Sequence, residues 1–346
     1  MLNYFDQKKG ERVASVIREK AGAYFHESKF TAKRTAELKW EAVNATVTNI
    51  AATVQSYGTE AKRVKRDDIV KVPGEIRPIE ISYDLDEKLM LHLNNPVYRD
   101  IILDEIFNDT LNAYNAVRTR MDFIAMQQLS TGKVTYSATN NHGGIVREFV
   151  DYDLESWQEV DVSTSWATAA TATPLQDIRT QLETLEGKGI YPDVIRMTKA
   201  TFNQMVATTE VLTTFGVKVT KGGIQSGFIS VAEMSLFFEQ KDFPPLEIVR
   251  DDISYVSSDG SFSNTRAAWA EGIVQFGFRN EGRKLWVEPL ESQNRKLTPA
   301  IVNMINGICV QQYSELNPPA VITLGKGIMF PVWDKSAHVL LLDTTP

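Results

Sequence analysis

The stretch DIVKVPGEIRPIEISYDLD, residues 68–86, decides how this chain is read. Ile79, Ile81, Tyr83 and Leu85 alternate with Glu80, Ser82 and Asp84, the period of a strand with one apolar face. Pro73-Gly74 fits the two central positions of a type II turn, which splays its flanking strands instead of closing a tight hairpin. Pro78 has no N–H to give a ladder, so its strand belongs at a sheet edge or in a single-layer arm. Upstream, NATVTNIAATVQSY (44–57) is rich in β-branched residues and alanine, and the charged run KRVKRDDIVKV (62–72) follows. Residues 46–88 therefore predict a long, open, two-stranded loop. Such a ribbon is marginal alone in water and needs a surface to lie on.

Past Asn94-Asn95-Pro96 the period changes. Val97, Ile101, Phe107, Leu111, Tyr114, Val117, Met121, Ile124 and Leu129 recur mostly three and four apart, with no Gly or Pro until Gly132. This predicts one long amphipathic helix of roughly 50 Å. Before the loop, residues 1–45 are polar and mixed. Their aromatics Phe5, Phe25, Phe30 and Trp40 are too widely spaced for one stripe and are read as anchors on other surfaces.

Further along, Thr173 as N-cap, Pro174 and Gln176 predict a capped helix whose stripe is Leu175, Ile178, Leu182 and Leu185, ending at Gly187 and Gly189. PDVIRMTKATFNQMVA (192–207) reads as a buried strand running into a helix, and SVAEMSLFFEQ (230–240) as another helix. Asp259-Gly260 signals a hairpin, and GICVQQY, AVITLGKGIMF and HVLLLD are closing strands. The class is α+β.

Composition narrows the function. With 43% hydrophobic and 23% charged residues the chain is a folded protein, and its single cysteine, Cys309, excludes an internal disulfide framework and fits a reducing cytosol. Cys309 sits in an apolar strand and is read as a small buried hydrophobe. The first residues carry charge at once, without the apolar run of a secretory signal, and no apolar stretch is long enough for a bilayer. A net charge of −7 argues against a general nucleic-acid binder. Residues 1–83 nevertheless balance to +4 and the remainder to −11, so a basic quarter could dock on the acidic body of another copy.

Chemistry is hard to find. The histidines His26, His92, His142 and His338 lack metal-ligand spacing, and no phosphate-loop or nucleophile-elbow motif occurs. KVTKGGIQSG (218–227) is the nearest approach to an anion loop and reads better as a surface loop. No catalytic residue, cofactor or metal site is expected, and the protein is read as a non-enzyme.

The order of segments carries a resemblance. VPGEIRPIEIS, the helix after NNPVYRD with its STGKVTY exit, PLQDIRTQLETLEGKGIYPDVIRMTKATFNQMV and NPPAVITLGKGIMFPVWDKSAHVLLLD together resemble the lambda-like major capsid protein E family of tailed phages. The likeness covers most of residues 60–346. It implies a Hong Kong 97-type fold: an N-terminal arm (1–45), an extended β-loop (46–88), a peripheral domain with a spine helix (89–172 and 305–346) and an inserted axial domain (173–304).

On that resemblance the chain forms the icosahedral head that encloses packaged double-stranded DNA. Heterologous contacts then close rings of five and six subunits. Lys62, Arg63, Lys65, Arg66 and Arg77 are expected to meet acidic patches on the adjacent subunit. Ile79, Ile81 and Tyr83 would pack on it, with Pro73-Gly74 aiming the tip and Phe5, Phe25, Phe30 and Trp40 as arm contacts. Expected partners are further copies, a separate scaffolding protein, a portal and a decoration protein, without sequence-specific DNA binding or a membrane. Expected locations are the host cytoplasm during assembly and then the virion. The alternatives are a cellular compartment shell of the same fold, a phage ring or connector protein, and an α/β enzyme without a linear motif.

Overall fold

This computed structural model describes residues 24–44, 70–85, 96–141, 144, 146–216, 219–220, 223–224, 229–250, 253–256, 262–264, 268–293, 301–316 and 319–346. In chain order the elements begin with α1 (Phe25–Lys29), β1 (Phe30–Arg34), β2 (Lys39–Asn44), β3 (Val70–Glu75), β4 (Pro78–Leu85) and α2 (Pro96–Thr131). Then come β5 (Lys133–Tyr136), β6 (Arg147–Asp151), β7 (Glu159–Asp161), α3 (Pro174–Gly187), β8 (Val194–Thr198), α4 (Lys199–Val206) and α5 (Thr209–Thr214). The short strands β9 (Val219–Thr220) and β10 (Gly223–Ile224) precede α6 (Val231–Gln240), β11 (Leu246–Val249), β12 (Ser254–Val256), β13 (Phe262–Asn264), β14 (Ile273–Gly277) and β15 (Gly282–Val287). The chain closes with α7 (Leu290–Gln293), β16 (Ile301–Ile305), β17 (Ile308–Leu316), β18 (Pro319–Trp333), a 3-10 turn and β19 (Leu340–Asp343).

The chain divides into two compact units. The first holds residues up to Trp40, Gly74–Ala125 and Gly282–Val332. Its sheet runs β1-β15-β18-β17-β16, and β4 also pairs with β18, off that path. Asn306 and Gly307 both have positive φ, 51° and 85°, which lets a two-residue turn join β16 to β17 with the twist that strands need. β17 then returns as β18, and β4 pairs antiparallel with β18 from Leu85↔Val321 to Pro78↔Ile328.

Helix α2 lies on this sheet. Thr110, Ala113, Tyr114, Val117, Arg118 and Met121 are buried, an i, i+3, i+4 stripe. Among the described residues, that amphipathic pattern ends after Met121. Phe123, Ile124, Ala125 and Met126 are buried at consecutive positions, so its later turns are covered on every side. At 36 residues it runs about 54 Å, and it stops at Gly132, whose φ of 69° and N–H to Gln128 O make a left-handed cap. Contact with β18 is close because β18 supplies glycine: a Cβ at Gly325 would lie 2.5 Å from Ala113 O, and one at Gly327 2.8 Å from Val117 Cγ1. Tyr114, Val117, Met121, Ile305, Ile308, Val310 and Met329 form the core between helix and sheet.

The second unit contains a mixed sheet ordered β11-β8-β14-β19-β7. β8 is buried along Val194–Met197 as its apolar run predicts, and passes directly into α4. Ile178, Leu182 and Leu185 of α3, Phe202 and Met205 of α4, and Met234 and Phe238 of α6 pack on Phe276, Leu340 and Leu342 in one core. α6 carries a reciprocal cap, with Ser230 Oγ accepting from Glu233 N and Glu233 Oε2 accepting from Ser230 N at 2.7 Å. The box expected at Thr173 does not form. Glu210 of α5 takes the same donors, accepting from Leu175 N at 2.8 Å and Gln176 N at 3.3 Å, because an ionised carboxylate outcompetes a hydroxyl at a helix N-terminus. The strands flanking Asp259-Gly260 pair as a hairpin, Val256 opposite Phe262, although that dipeptide lies outside the described residues.

Inside the unit, Arg196 and Glu281 form a wholly buried ion pair. Arg196 also gives Nε to Glu247 at 2.9 Å, Nη1 to Gln275 Oε1 at 3.0 Å, and Nη2 to the Phe278 carbonyl. Glu281 accepts from Trp333 Nε1 at 3.0 Å and Phe278 N at 2.9 Å. Every charge-bearing atom is thus occupied, the condition under which a buried pair is tolerated. Arg196→Met strands the Glu281 charge and should lower stability by about 3–5 kcal/mol, read as a fall in thermal midpoint. Arg196→Met with Glu281→Gln should recover part of the loss, since no charge is then buried and Trp333 keeps an acceptor.

Candidate functional site

The segments expected to meet a neighbour were the arm and the loop. Pro73-Gly74 is no turn: it lies inside β3, which pairs with β2, and the strand is interrupted only at Ile76-Arg77. Gly74 lacks the positive φ that a type II turn demands at that position. Its small size serves Trp40 instead, for a Cβ there would stand 2.2 Å from the indole. Trp40 is 5% exposed and stacks on Phe330, ring centroids 5.1 Å apart and 19° from parallel.

β4 is covered by its own chain. Ile79, Ile81 and Tyr83 stand opposite Gly327, Gly325 and Thr323 and share their helix-facing side. Ile79 packs against the core beneath α2, and burial, with the Asp109 charge, raises the Tyr83 phenol above its ordinary value. The expectation that this face lacks an intramolecular cover is corrected: the helix that follows it in sequence supplies one. Arg77 pairs with Glu75 at 2.6 Å, so it has a carboxylate within its own strand turn. On the opposite face of β4, Glu80 meets Lys326 at 2.8 Å, and Lys326 also reaches Glu291 at 2.8 Å. This three-residue hub ties β4, β18 and α7. Cys309 lies beside it, buried, and burial with the Glu291 charge pushes its thiol up to about 11.

The arm is anchored more elaborately. Phe30 is 2% exposed and begins β1, which pairs parallel with β15. Phe30 and Trp40 therefore anchor within the chain, not on another subunit, and Phe25 is half-buried at the head of α1. Asp122 of α2 caps α1, accepting from Phe25 N at 3.1 Å and His26 N at 2.7 Å. His26 Nδ1 lies 2.6 Å from the same carboxylate, and the imidazole is 1% exposed. One turn earlier Arg118 holds Glu27 through two bonds, Nε at 3.0 Å and Nη2 at 2.6 Å, under the Tyr24 ring at 3.8 Å. Burial pushes the Glu27 carboxyl up, but the Arg118 hydrogen bonds and charge outweigh it and leave it below its ordinary value. Burial lowers His26 despite Asp122, and burial also lowers Lys284 of β15, which faces the cluster.

Sequence reasoning missed His26, Arg118 and Asp122. A signal existed for one of them: Arg118 falls in the stripe with Tyr114, Val117 and Met121, and a charge on a buried face implies a buried partner. Phe5, Lys62, Arg63, Lys65 and Arg66 lie outside the described residues, as does His142.

The family model for phage major capsid protein E matches residues 26–300, most of the chain. This chain belongs to that family. No curated protein is a sequence match. The fold of the capsid protein is the Hong Kong 97 type. It is similar to the structure assigned as a prophage capsid protein of Escherichia coli CFT073, with 13% identity, 98% of this chain and 99% of that one covered, and a TM-score of 0.60. A phage-related protein of Bordetella bronchiseptica RB50 is similar at 11% identity, with 96% of each chain covered and a TM-score of 0.51. The capsid protein is a structural protein of a tailed-phage head, assembles into an icosahedral shell and resides in the virion capsid.

The Lys326 hub gives a pH test within this capsid protein. Burial pushes Glu291 up, but Lys326 outweighs it and holds the carboxyl below 4.5. Stability from the pair is thus complete above 4.5 and lost as pH falls through the lowered value. Lys326→Met should lower the thermal midpoint at pH 7, and the gap to the parent protein should shrink steadily below pH 4.5.

Proposed function

We propose that the shell is built from pentamers and hexamers of this one chain, with the charged run at 62–66 of the loop 46–88 clasping the adjacent subunit. The family match over residues 26–300 carries this reading. Lys62, Arg63, Lys65 and Arg66 meet acidic surface on the neighbour, supported by a balance of +4 on residues 1–83 against −11 on the rest. Each exposed pair contributes about 0–1 kcal/mol, and many copies multiply a contact weak enough to be broken and remade during assembly. Residues 173–304 act as the axial domain and 89–172 with 305–346, apart from β7 and β19, as the peripheral one. The sheet that seats β7 and β19 beside β14 supports counting those two strands with the axial part. Assembly takes place in the host cytoplasm with a separate scaffolding protein, a portal and a decoration protein, and packaged double-stranded DNA is enclosed without sequence readout.

Negative-stain microscopy and sedimentation of the purified chain, alone and with its neighbouring gene products, test the reading. Capsomer rings or megadalton shells are expected, and a stable monomer that binds a small ligand would overturn it. Changing Arg63, Lys65 and Arg66 together to Glu should sharply reduce shell yield while the subunit stays folded. Unaltered yield and geometry would remove the loop from the contact.

A further inference from the structure

We propose that residues Tyr24–Lys29 form an acid-released latch, in which protonation at the His26–Asp122 contact frees the segment from α2 while β1 stays paired to β15. The geometry is that of a clip with a hinge behind it. The six residues are held by side chains of α2: Asp122 caps α1 at Phe25 N and His26 N, and Arg118 clamps Glu27. From Phe30 onward the hold changes in kind, to a backbone ladder that pairs Phe30 with Gly282 and runs to Arg34 with Trp286. A change of charge can therefore undo the clip without touching the ladder.

The charges around His26 all bear on this. Asp122 faces it from α2, Glu27 from α1 and Lys284 from β15, and Arg118 of α2 pairs with Glu27. The imidazole is 1% exposed, so a proton added to it is desolvated, and the Lys284 charge also opposes it. Asp122 favours the charged imidazole, but burial outweighs it. In the released segment the imidazole regains water and its ordinary value near 6.5.

The sign follows. His26 is lowered in the docked state, so the released state binds more protons, and docking weakens as pH falls below 6.5 until the lowered value is passed. Glu27, also lowered when docked, acts in the same direction at more acid pH, below 4.5. Each pH unit by which burial lowers His26 weakens the latch about tenfold. Release would give the arm six further residues of reach, roughly 20 Å if extended.

Hydrogen exchange of the full-length protein, corrected for intrinsic rates, tests this between pH 7.5 and 5.0. Protection of the Phe25 and His26 amides should fall, while amides of β1 and β15 stay protected. His26→Gln, which retains a donor but does not titrate, should flatten the response. Constant protection in the parent protein, or an unchanged response in His26→Gln, would overturn the latch. If His26→Gln leaves the segment undocked at every pH, Lys284→Met decides. Removing that charge eases protonation of docked His26, so the release midpoint must move to lower pH, and an unmoved midpoint refutes the proposal.

Discussion

A helix can approach a strand only as closely as the Cβ atoms between them permit. Here that distance is set by Gly325 and Gly327, whose missing side chains admit Ala113 and Val117 of the long helix. Much of the first unit depends on that contact. It brings Tyr114, Val117 and Met121 onto the hairpin strands, puts a cover over Ile79, and holds Asp122 and Arg118 where α1 meets them. A bulkier strand would lift the helix, and the cap on the arm would be lost with it.

Two buried arginines illustrate different uses of the same chemistry. Arg196 sits inside a sheet and is surrounded by Glu247, Gln275, Glu281 and a carbonyl, all within one folded unit. Removing a partner there leaves a charge with no route to water, which suits a joint that never opens. Arg118 holds Glu27, whose side chain is 28% exposed, on a six-residue segment that Asp122 also caps. That joint has water at its margin. The first arrangement specifies a fold, and the second fastens a movable part to it.

Much of the element order was legible because periodicity and breakers agreed. The helix begins at Pro96 and stops at Gly132, β8 passes into α4, and the closing apolar runs are strands. What misled was chemistry with two uses. Pro73-Gly74 has the composition of a turn, but glycine also serves where an indole presses on the backbone, and no local pattern separates these cases. Ile79, Ile81 and Tyr83 showed an apolar face without showing that the next helix folds back over it. Asn306-Gly307 is a strong hairpin signal just ahead of GICVQQY, and a reading of that run as a strand alone does not use it. The His26–Asp122 pair joins residues 96 apart by backbone-to-side-chain bonds, which leave no trace in spacing.

The alternation of β18 also governs how the hairpin folds. Thr323, Gly325 and Gly327 face the helix, and Leu324, Lys326 and Ile328 face away, with Lys326 between Glu80 and Glu291. A strand slipped by one residue exchanges its two faces. For LGKGI such a slip would drive an ammonium beneath the helix, separate it from both carboxylates, and push it and a branched side chain into spaces shaped for hydrogen atoms. The neighbouring registers are thus heavily penalised from both faces at once. One lysine between two glycines acts as a proofreading mark, letting a chain with nine-residue strand pairing find a single alignment.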